Sequence, residues 1–419
     1  MKVAVIGSGG REHAIIKSIS LNPKVEVIYA ISGNGGMTEA ICENIDIRDI
    51  DSVVNFCKLK EIDFVIVAPD DPLAAGMVDA LENVGIKTFG PTKKAAMIES
   101  SKAFSKNLMK KYNIPTAKYE VFEDMDKALE YIENTSFPLV IKADGLALGK
   151  GVIIANTKDE GTLAIKEMML EKKFGNSGLK IVIEEYLSGV EVSVLAFTDG
   201  KTIIPMISSM DHKKALDNDE GLNTGGMGTI APNPYYTEEI ADKCMQEIFI
   251  PTINAMNTED RKFKGCLYFG LMLTKTGAKV IEYNCRFGDP ETQVVLPLLD
   301  SDLLEIMLAV REERLDKIEV KWKNKCACCV VIASGGYPQS YKTGYEIKGI
   351  SDCKEVFVAG AKLEDKKLVT SGGRVLGVVG IGDTLEKAIE LAYKDAQKIS
   401  FKDMYMRNDI GKKALEINK

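Results

Sequence analysis

Residues Ile281–Gln293 read IEYNCRFGDPETQ, and their spacing decides how the chain is read. Glu282, Asn284 and Arg286 stand two residues apart, and side chains two apart share one face of a β-strand. The preceding KTGAKV supplies a Thr276-Gly277 turn and a Val/Ile run, which predicts a strand entering the motif. A carboxylate and an amide oxygen side by side make a hard-oxygen site suited to Mg2+. A neighbouring guanidinium suits phosphate or a developing anion. A solvated strand face would show the same alternation. The FGDPET turn argues against that reading, because it adds Asp289 and Glu291 in a tight loop at the strand's end.

Working outward, three further stretches carry chemistry. GSGGREHA, Gly7–Ala14, follows a short apolar strand and opens a helix. Helix-start N–H groups bind anions, Gly9 and Gly10 permit close approach, and Arg11 can add charge-assisted hydrogen bonds. It is not the dinucleotide fingerprint, since Glu12 stands where the third glycine belongs. Asn34, in SGNGG after the second strand, falls at the carboxyl edge of the same sheet. VIKADGLALGKGV, Val140–Val152, sets Lys142 on a strand and Lys150 in a glycine loop. Lys150 is followed by Gly151 rather than Ser or Thr, so the loop is not a Walker A. It reads as a mobile flap over ATP phosphates, or as a flexible surface hairpin. VIEEYLSGVEVSV, Val182–Val194, places Glu184 and Glu185 at one strand end and Glu191 at the next strand's start. Such a hinge can hold adenine, and a carboxylate there can accept ribose hydroxyls. Met210–Gly228, MDHKKALDNDEGLNTGGMG, is predicted as a long polar loop without regular structure, which favours a functional role.

Composition narrows the class. The 419 residues suggest about three domains, and 45% hydrophobic content gives ample core material. A net charge of -7 argues against a nucleic-acid partner. No apolar run reaches the ~20 residues needed to span a bilayer, and MKVAVIG is not a signal peptide, so a cytoplasmic protein off the membrane is expected. With only His13 and His212, a His-rich metal site or a Ser-His-Asp triad is not expected. The Cys326, Cys328 and Cys329 cluster reads as a buried strand, without a second ligand pair at zinc spacing. Strands VAVIG, VEVIYA, FVIVAP and KTFG alternate with amphipathic segments, as in a doubly wound parallel sheet.

In this order the motifs resemble the phosphoribosylamine–glycine ligase (glycinamide ribonucleotide synthetase) family of the ATP-grasp superfamily. The matching stretches include GSGGREHA, GPTKKAAMIESSKAFSK, VIKADGLALGKGV, EEYLSGVEVS, DHK, NTGGMG, IEYNCRFGDPETQ, GGRVLGV and RNDIG, so they cover nearly the whole chain. The resemblance implies an α/β protein with a Rossmann-like N-terminal domain over 1–102. An ATP-grasp domain over 103–324 would follow, with a mobile lid near 119–188, and then a small α+β domain over 325–419. It implies ATP-dependent ligation of glycine to 5-phosphoribosylamine through a glycyl phosphate, with Mg2+ or Mn2+, in a monomer. Lys106, Lys142, Lys150, Glu184, Glu185, Leu187 and Glu191 would bind ATP, and Glu282 and Asn284 the metal. Arg286, Asp289 and Lys213 would act at the reacting groups. Gly9, Gly10, Arg11, Asn34, Asp211, His212, Asn223, Gly225 and Gly226 would hold the other substrates. APDDPL replaces the family's more usual GPExPL, and the strand CLYFGLML lacks the acid that many ATP-grasp enzymes carry there. Another ATP-grasp ligase or carboxylase, an NAD-dependent oxidoreductase and a non-catalytic nucleotide module are the alternatives.

Overall fold

Apolar strands that end in glycine turns and leave as helices build the N-terminal unit. The computed structural model describes residues 1–146, 151–171 and 175–417. In it, Lys2–Gly7, Val27–Ser32, Ile41–Glu43, Phe64–Val67 and Lys87–Phe89 form one sheet, every pairing parallel. Lys2–Gly7 lies at its centre, with Val27–Ser32 on one side and Phe64–Val67 on the other. The chain therefore reverses direction across the sheet at this strand, and ligands bind at the carboxyl end of such a switch point. Val3, Val5, Ile6, Phe64 and Ile66 are fully buried, as expected of strands covered on both faces. Ile41–Glu43 was not legible, because it is three residues long and two of them are exposed.

Helices Lys93–Ser100 and Lys102–Lys111 follow. Thr92 and Ser101 cap them, their hydroxyls accepting from the N–H groups of Ala95 and Phe104. The chain then makes an antiparallel sheet of Tyr119–Phe122, Ile181–Glu185, Leu139–Ala143 and Val152–Ala155 in that spatial order. Helices Met125–Glu133 and Lys158–Met169 back it, and Ile132, Ile141, Ile165, Met168 and Ile183 give this unit a core of its own. A separate small core is what a lid needs in order to move as a body.

Val190–Thr198, Gly265–Thr274 and Gly277–Asn284 are neighbours in the central antiparallel sheet. The register slips opposite Gly270 and Leu271, so that Glu282 faces Gly270 and Val280 faces Leu271, leaving Ile281 as a bulge. Bulges re-aim side chains beside functional sites. Beyond this one, Tyr283, Cys285 and Phe287 are buried, while Glu282, Asn284 and Arg286 are half-buried on the opposite face. The shared face read from the spacing is present.

The last sheet crosses the expected division at residue 325. Its strands are Met210–Asp211, Gly228–Ala231, Cys326–Ser334, Arg374–Gly382 and Val356–Val358 in that order, and Met404–Tyr405 pairs with Cys326–Ser334 off that path. Two of them come from the middle of the chain. Cys328 and Cys329 are fully buried on its central strand, acting as small hydrophobes. Residues 210–228, expected to be irregular, instead carry a hairpin of Lys214–Leu216 and Glu220–Asn223. The stabilising partner is remote. Arg407 binds Asp409 through two 2.8 Å hydrogen bonds, pairs with Asp219 at 3.0 Å and donates to the Lys214 carbonyl at 3.0 Å. Among the described residues no helix is long and apolar enough to cross a membrane.

The Arg407 side chain is 1% exposed, so its loss strands buried acceptors. Arg407→Ala should destabilise the fold by about 3 kcal/mol, seen as a lower urea midpoint. Hydrogen exchange over residues 214–223 should quicken in the same variant.

Candidate functional site

A cleft of ≈ 650 Å³ lies between the lid sheet and the central sheet. At one end, Lys106 and Lys142 flank Glu184 at 2.8 and 2.9 Å, and all three are buried. Lys106 also donates to the Thr116 hydroxyl at 2.7 Å, and Thr116 donates to the Val280 carbonyl at 2.7 Å. Lys142 donates to the carbonyl of Ile281, the bulge residue, at 3.1 Å. Two cations on one carboxylate leave an excess positive charge facing the cleft, which suits polyphosphate. Burial pushes Lys106 down to about 8, with Lys142 adding to the effect and Glu184 opposing it. Lys102, not singled out from sequence, also lines the cleft and donates to the Gly145 carbonyl at 2.8 Å. Lys150 lies outside the described residues.

Glu184, expected at the ATP site, has Oε2 at 2.8 Å from the Lys106 ammonium and Oε1 at 2.9 Å from that of Lys142, so its charge is shared between the two lysines. Glu185, Leu187 and Glu191 line the cleft. Glu185 accepts the Lys118 N–H at 3.0 Å and pairs with Lys279 at 3.2 Å, while Glu191 pairs with Lys213 at 3.0 Å.

At the centre, Lys213 also stands 3.9 Å from Glu282. Burial pushes the Glu282 carboxyl up, but Lys213, Lys142, Lys102 and Arg286 together outweigh it and hold it below the usual carboxylate range. It is ready as an anionic ligand beside Asn284. No cluster of three or more His, Cys, Asp or Glu at metal spacing occurs among the described residues. One carboxylate and one amide oxygen suit Mg2+, which keeps waters and takes substrate phosphates as its other ligands. Arg286 lies 3.3 Å from Glu99 and donates to the Phe287 carbonyl at 3.3 Å. Its Nε is buried without a hydrogen-bond partner among the described residues. Glu99 also accepts the Cys285 N–H at 2.7 Å. Sequence reasoning missed Glu99, which lies 186 residues away and reads as one more acid on a surface helix.

At the far end, four loops converge. Asp289 accepts from Gln293 at 2.7 Å and pairs with Arg374 at 3.1 Å. Burial works to raise its carboxyl, but Arg374 and Arg11 hold it below the usual range. Arg374 donates to the carbonyls of Gly225 and Asp289 at 2.6 and 2.8 Å, tying the NTGGMG loop to the FGDPET turn. Arg374 was quoted within GGRVLGV but not singled out. Gly226 adopts φ +111°, and a Cβ there would meet Pro290 at 2.5 Å and Asp211 at 2.6 Å. A Cβ on Gly10 would meet Gln293 at 2.6 Å, so the N-terminal loop touches the same turn. Asp211, Asn223 and Gly225 line the cleft.

Three expected substrate residues are engaged elsewhere. Arg11 is 9% exposed and donates to Glu12 at 2.6 Å and to the Phe287 carbonyl at 3.1 Å, so it braces the first helix against the FGDPET turn. Asn34 donates to the carbonyls of Ser8 and Val358, both at 2.8 Å, and accepts from the Gly36 N–H. His212 accepts the Gly411 N–H on Nε2 and faces the Gly228 carbonyl with Nδ1, which must carry the proton. Burial and nearby Arg407 push it down to about 4. Residue type gave no sign that backbone groups would use up these side chains. Gly9 remains at the helix start, its N–H held by Glu12 at 2.7 Å, with first-turn N–H groups beyond it that lack intrahelical partners.

Comparison with known proteins places the chain. The phosphoribosylglycinamide synthetase N domain matches residues 1–99, the ATP-grasp (A) domain 100–292 and the C domain 327–413. A phosphoribosylamine–glycine ligase of Fusobacterium nucleatum is 49% identical over 419 residues, covering 98% of each chain. That of Clostridium acetobutylicum is 49% identical, covering 98% of this chain and all of its own. The crystal structure of the Thermotoga maritima phosphoribosylamine–glycine ligase superposes with a TM-score of 0.87 at 34% identity, covering 98% of this chain and 100% of that one. A biotin carboxylase of Campylobacter jejuni shares the fold alone, at 13% identity and a TM-score of 0.73.

The depressed Lys106 sets a pH dependence. Below about 8 the ammonium is charged and offers the cleft a cation, and above it the proton is lost. Affinity for a non-hydrolysable ATP analogue should therefore fall by up to about tenfold per pH unit as pH rises past that point. Lys106→Arg should move the fall to higher pH, as calorimetric titration across pH 7–10 would show.

Proposed function

Because the chain belongs to the phosphoribosylglycinamide synthetase family, we propose that this cleft performs the family's ligation with the residues described above. The activity is ATP-dependent joining of glycine to 5-phosphoribosylamine, forming glycinamide ribonucleotide in purine synthesis. In this reading the glycine carboxylate attacks the γ-phosphate of ATP and ADP leaves. The amine of phosphoribosylamine then displaces phosphate from the glycyl phosphate. Phosphoryl transfer of this kind needs positioning and charge more than covalent help.

Lys106 and Lys142, oriented by Glu184, hold ATP phosphates. Glu185, Leu187 and Glu191 bound the nucleoside end, and Lys150 belongs to the loop expected to cover the phosphates. Glu282 and Asn284 would hold Mg2+ or Mn2+, which when bound neutralises charge on the phosphates. Arg286 offers its guanidinium to the phosphoryl group in flight. The observation that carries this is its buried, unpartnered Nε on the same face as Glu282 and Asn284. Lys213, between Glu191 and Glu282, bridges the nucleoside and reacting ends. Asp289 and Arg374 lock the turn that separates the ATP end from the N-terminal loop, where Gly9, Gly10 and the helix-start N–H groups take the ribose 5-phosphate. Residues 1–102, 103–324 and 325–419 then serve as the phosphate-binding, ATP-grasp and closing units of a cytoplasmic monomer, with Met210–Asp211 and Gly228–Ala231 lent by the second unit to the sheet of the third.

The test is release of ADP that depends on both glycine and phosphoribosylamine. Wild type should show it. Glu282→Gln should lower kcat by at least about a hundredfold at limiting magnesium, with unchanged circular dichroism. Near wild-type turnover in that variant would remove Glu282 from the metal.

A further inference from the structure

A second hollow, of ≈ 290 Å³, lies apart from the cleft and shares none of its lining residues among those described. Its walls come from three places in the chain. Val78 and Glu82 stand on helix Met77–Asn83, and Thr88, Phe89 and Gly90 close the edge strand of the first sheet. Arg261, Lys262 and Lys264 lead into strand Gly265–Thr274 of the central sheet, and Val310 and Arg311 end helix Leu303–Arg311. The N-terminal unit and the central sheet meet closely here, since a Cβ on Gly265 would stand 3.3 Å from the Gly90 Cα. The floor is apolar: Val78, Phe89 and Val310 are all buried.

Five cations line this hollow against two carboxylates. Two of the cations are engaged locally. Lys94 pairs with Asp260, while Arg261 donates to the Lys94 carbonyl at 2.7 Å and lies 4.7 Å over the Phe104 ring. Lys262 and Lys264 share a single carboxylate, that of Glu313, at 2.6 and 2.8 Å, and Lys201 takes it too at 2.8 Å. Hydrogen bonds from these three lysines hold Glu313 well below the usual carboxylate range, and one acid among three ammoniums leaves positive charge unanswered. Glu313 adopts φ +56°, a left-handed backbone that disfavours a residue with a Cβ, so the fold accepts strain at the residue that gathers the lysines. The fifth cation is Arg311. Its Nε lies 3.0 Å from Glu82 Oε1, an oxygen that also accepts the Thr88 hydroxyl at 2.8 Å. That Nε is nevertheless buried without a hydrogen bond among the described residues, which is costly until an acceptor arrives.

We propose that this hollow is a second anion site, which takes the phosphate of a small phosphomonoester among Arg311, Lys262 and Lys264 and seats its carbon body against Val78, Phe89 and Val310. A phosphate dianion offers three acceptor oxygens, enough for a guanidinium fork and two ammoniums. Bare phosphate would leave the apolar floor uncovered, and the volume stands at the lower end of the ~300–1,000 Å³ of small-ligand pockets. The walls belong to both the N-terminal unit and the central sheet, so a bound ester ties the two together. The site is separate from the cleft and does not depend on how the cleft is read.

Calorimetric titration of the full chain with inorganic phosphate, ribose 5-phosphate and AMP tests this, repeated on Arg311→Gln and on the double variant Lys262→Gln, Lys264→Gln. At least one of the two esters should show a binding component with Kd below about 1 mM that both variants weaken at least about tenfold. Inorganic phosphate should bind that component more weakly, and the tighter ester tells whether a sugar or a nucleoside fills the hollow. The KM for ATP should stay within about threefold in both variants, because none of the changed residues lines the cleft. In the wild type, the tighter ester should slow hydrogen exchange over residues 88–94 and 260–264. Titrations of both variants that match the wild type would overturn the assignment, as would inorganic phosphate binding as tightly as either ester. A KM for ATP that rises as much as the ester's Kd would also overturn it, by showing that these cations act on the cleft. So would unchanged exchange over 88–94 and 260–264, a result that needs no variant to fold.

Discussion

Two arginines from opposite ends of the chain close on one turn, and the site depends on that clamp. Arg11 reaches the Phe287 carbonyl across 276 residues, and Arg374 reaches the Asp289 carbonyl and carboxylate across 85. Guanidinium groups suit this task, because one planar fork can serve several acceptors at once. Arg374 holds the Gly225 carbonyl and Asp289 together, which fixes the NTGGMG loop against the turn. The central strand thus delivers Glu282, Asn284 and Arg286, while both flanking domains decide where that strand ends.

Charge is arranged locally against the net balance of the chain. With a net charge of -7, the chain still gathers Lys102, Lys106, Lys142, Lys213 and Arg286 along one cleft. Isolated buried cations would shed their protons or destabilise the fold. Here each has at least one acceptor within reach: Glu184 serves two lysines, Glu99 serves Arg286, and Glu191 serves Lys213. The pairing is incomplete by design of the geometry, since one carboxylate shared by two lysines leaves charge for a phosphate. The backbone contributes too. The bulge at Ile281 frees a carbonyl for Lys142 and aims Glu282 into the cleft.

The sequence was most informative where the pattern is local. The period-two spacing of Glu282, Asn284 and Arg286 reports one face without any knowledge of the neighbours, and the structure shows that face. The parallel sheet was likewise legible from strand–glycine–helix rhythm, apart from Ile41–Glu43, which is too short to show a pattern. Legibility failed where a distant partner decides the outcome. Asn34 and His212 are residue types that often meet ligands, yet backbone groups from Val358 and Gly411 take their polar atoms. Arg11 looks like an anion fork in its own loop and becomes a brace only when Phe287 is brought beside it. Residues 210–223 look irregular because the side chain that orders them, Arg407, enters from near the end of the chain.

The braces and the free groups divide the labour of the site. A residue whose polar atoms are all used by protein, such as Asn34 or His212, fixes loop shape and cannot also read a substrate. A residue with a buried, unused atom, such as Arg286 at Nε or Asp211 at Oδ1, carries the desolvation cost in advance and recovers it when a complementary group arrives. One belongs to a guanidinium whose other arm pairs with Glu99, and the other to a carboxyl that burial and Glu291 push towards its neutral form. Both line the same cleft, so a group that answers either atom has to enter there.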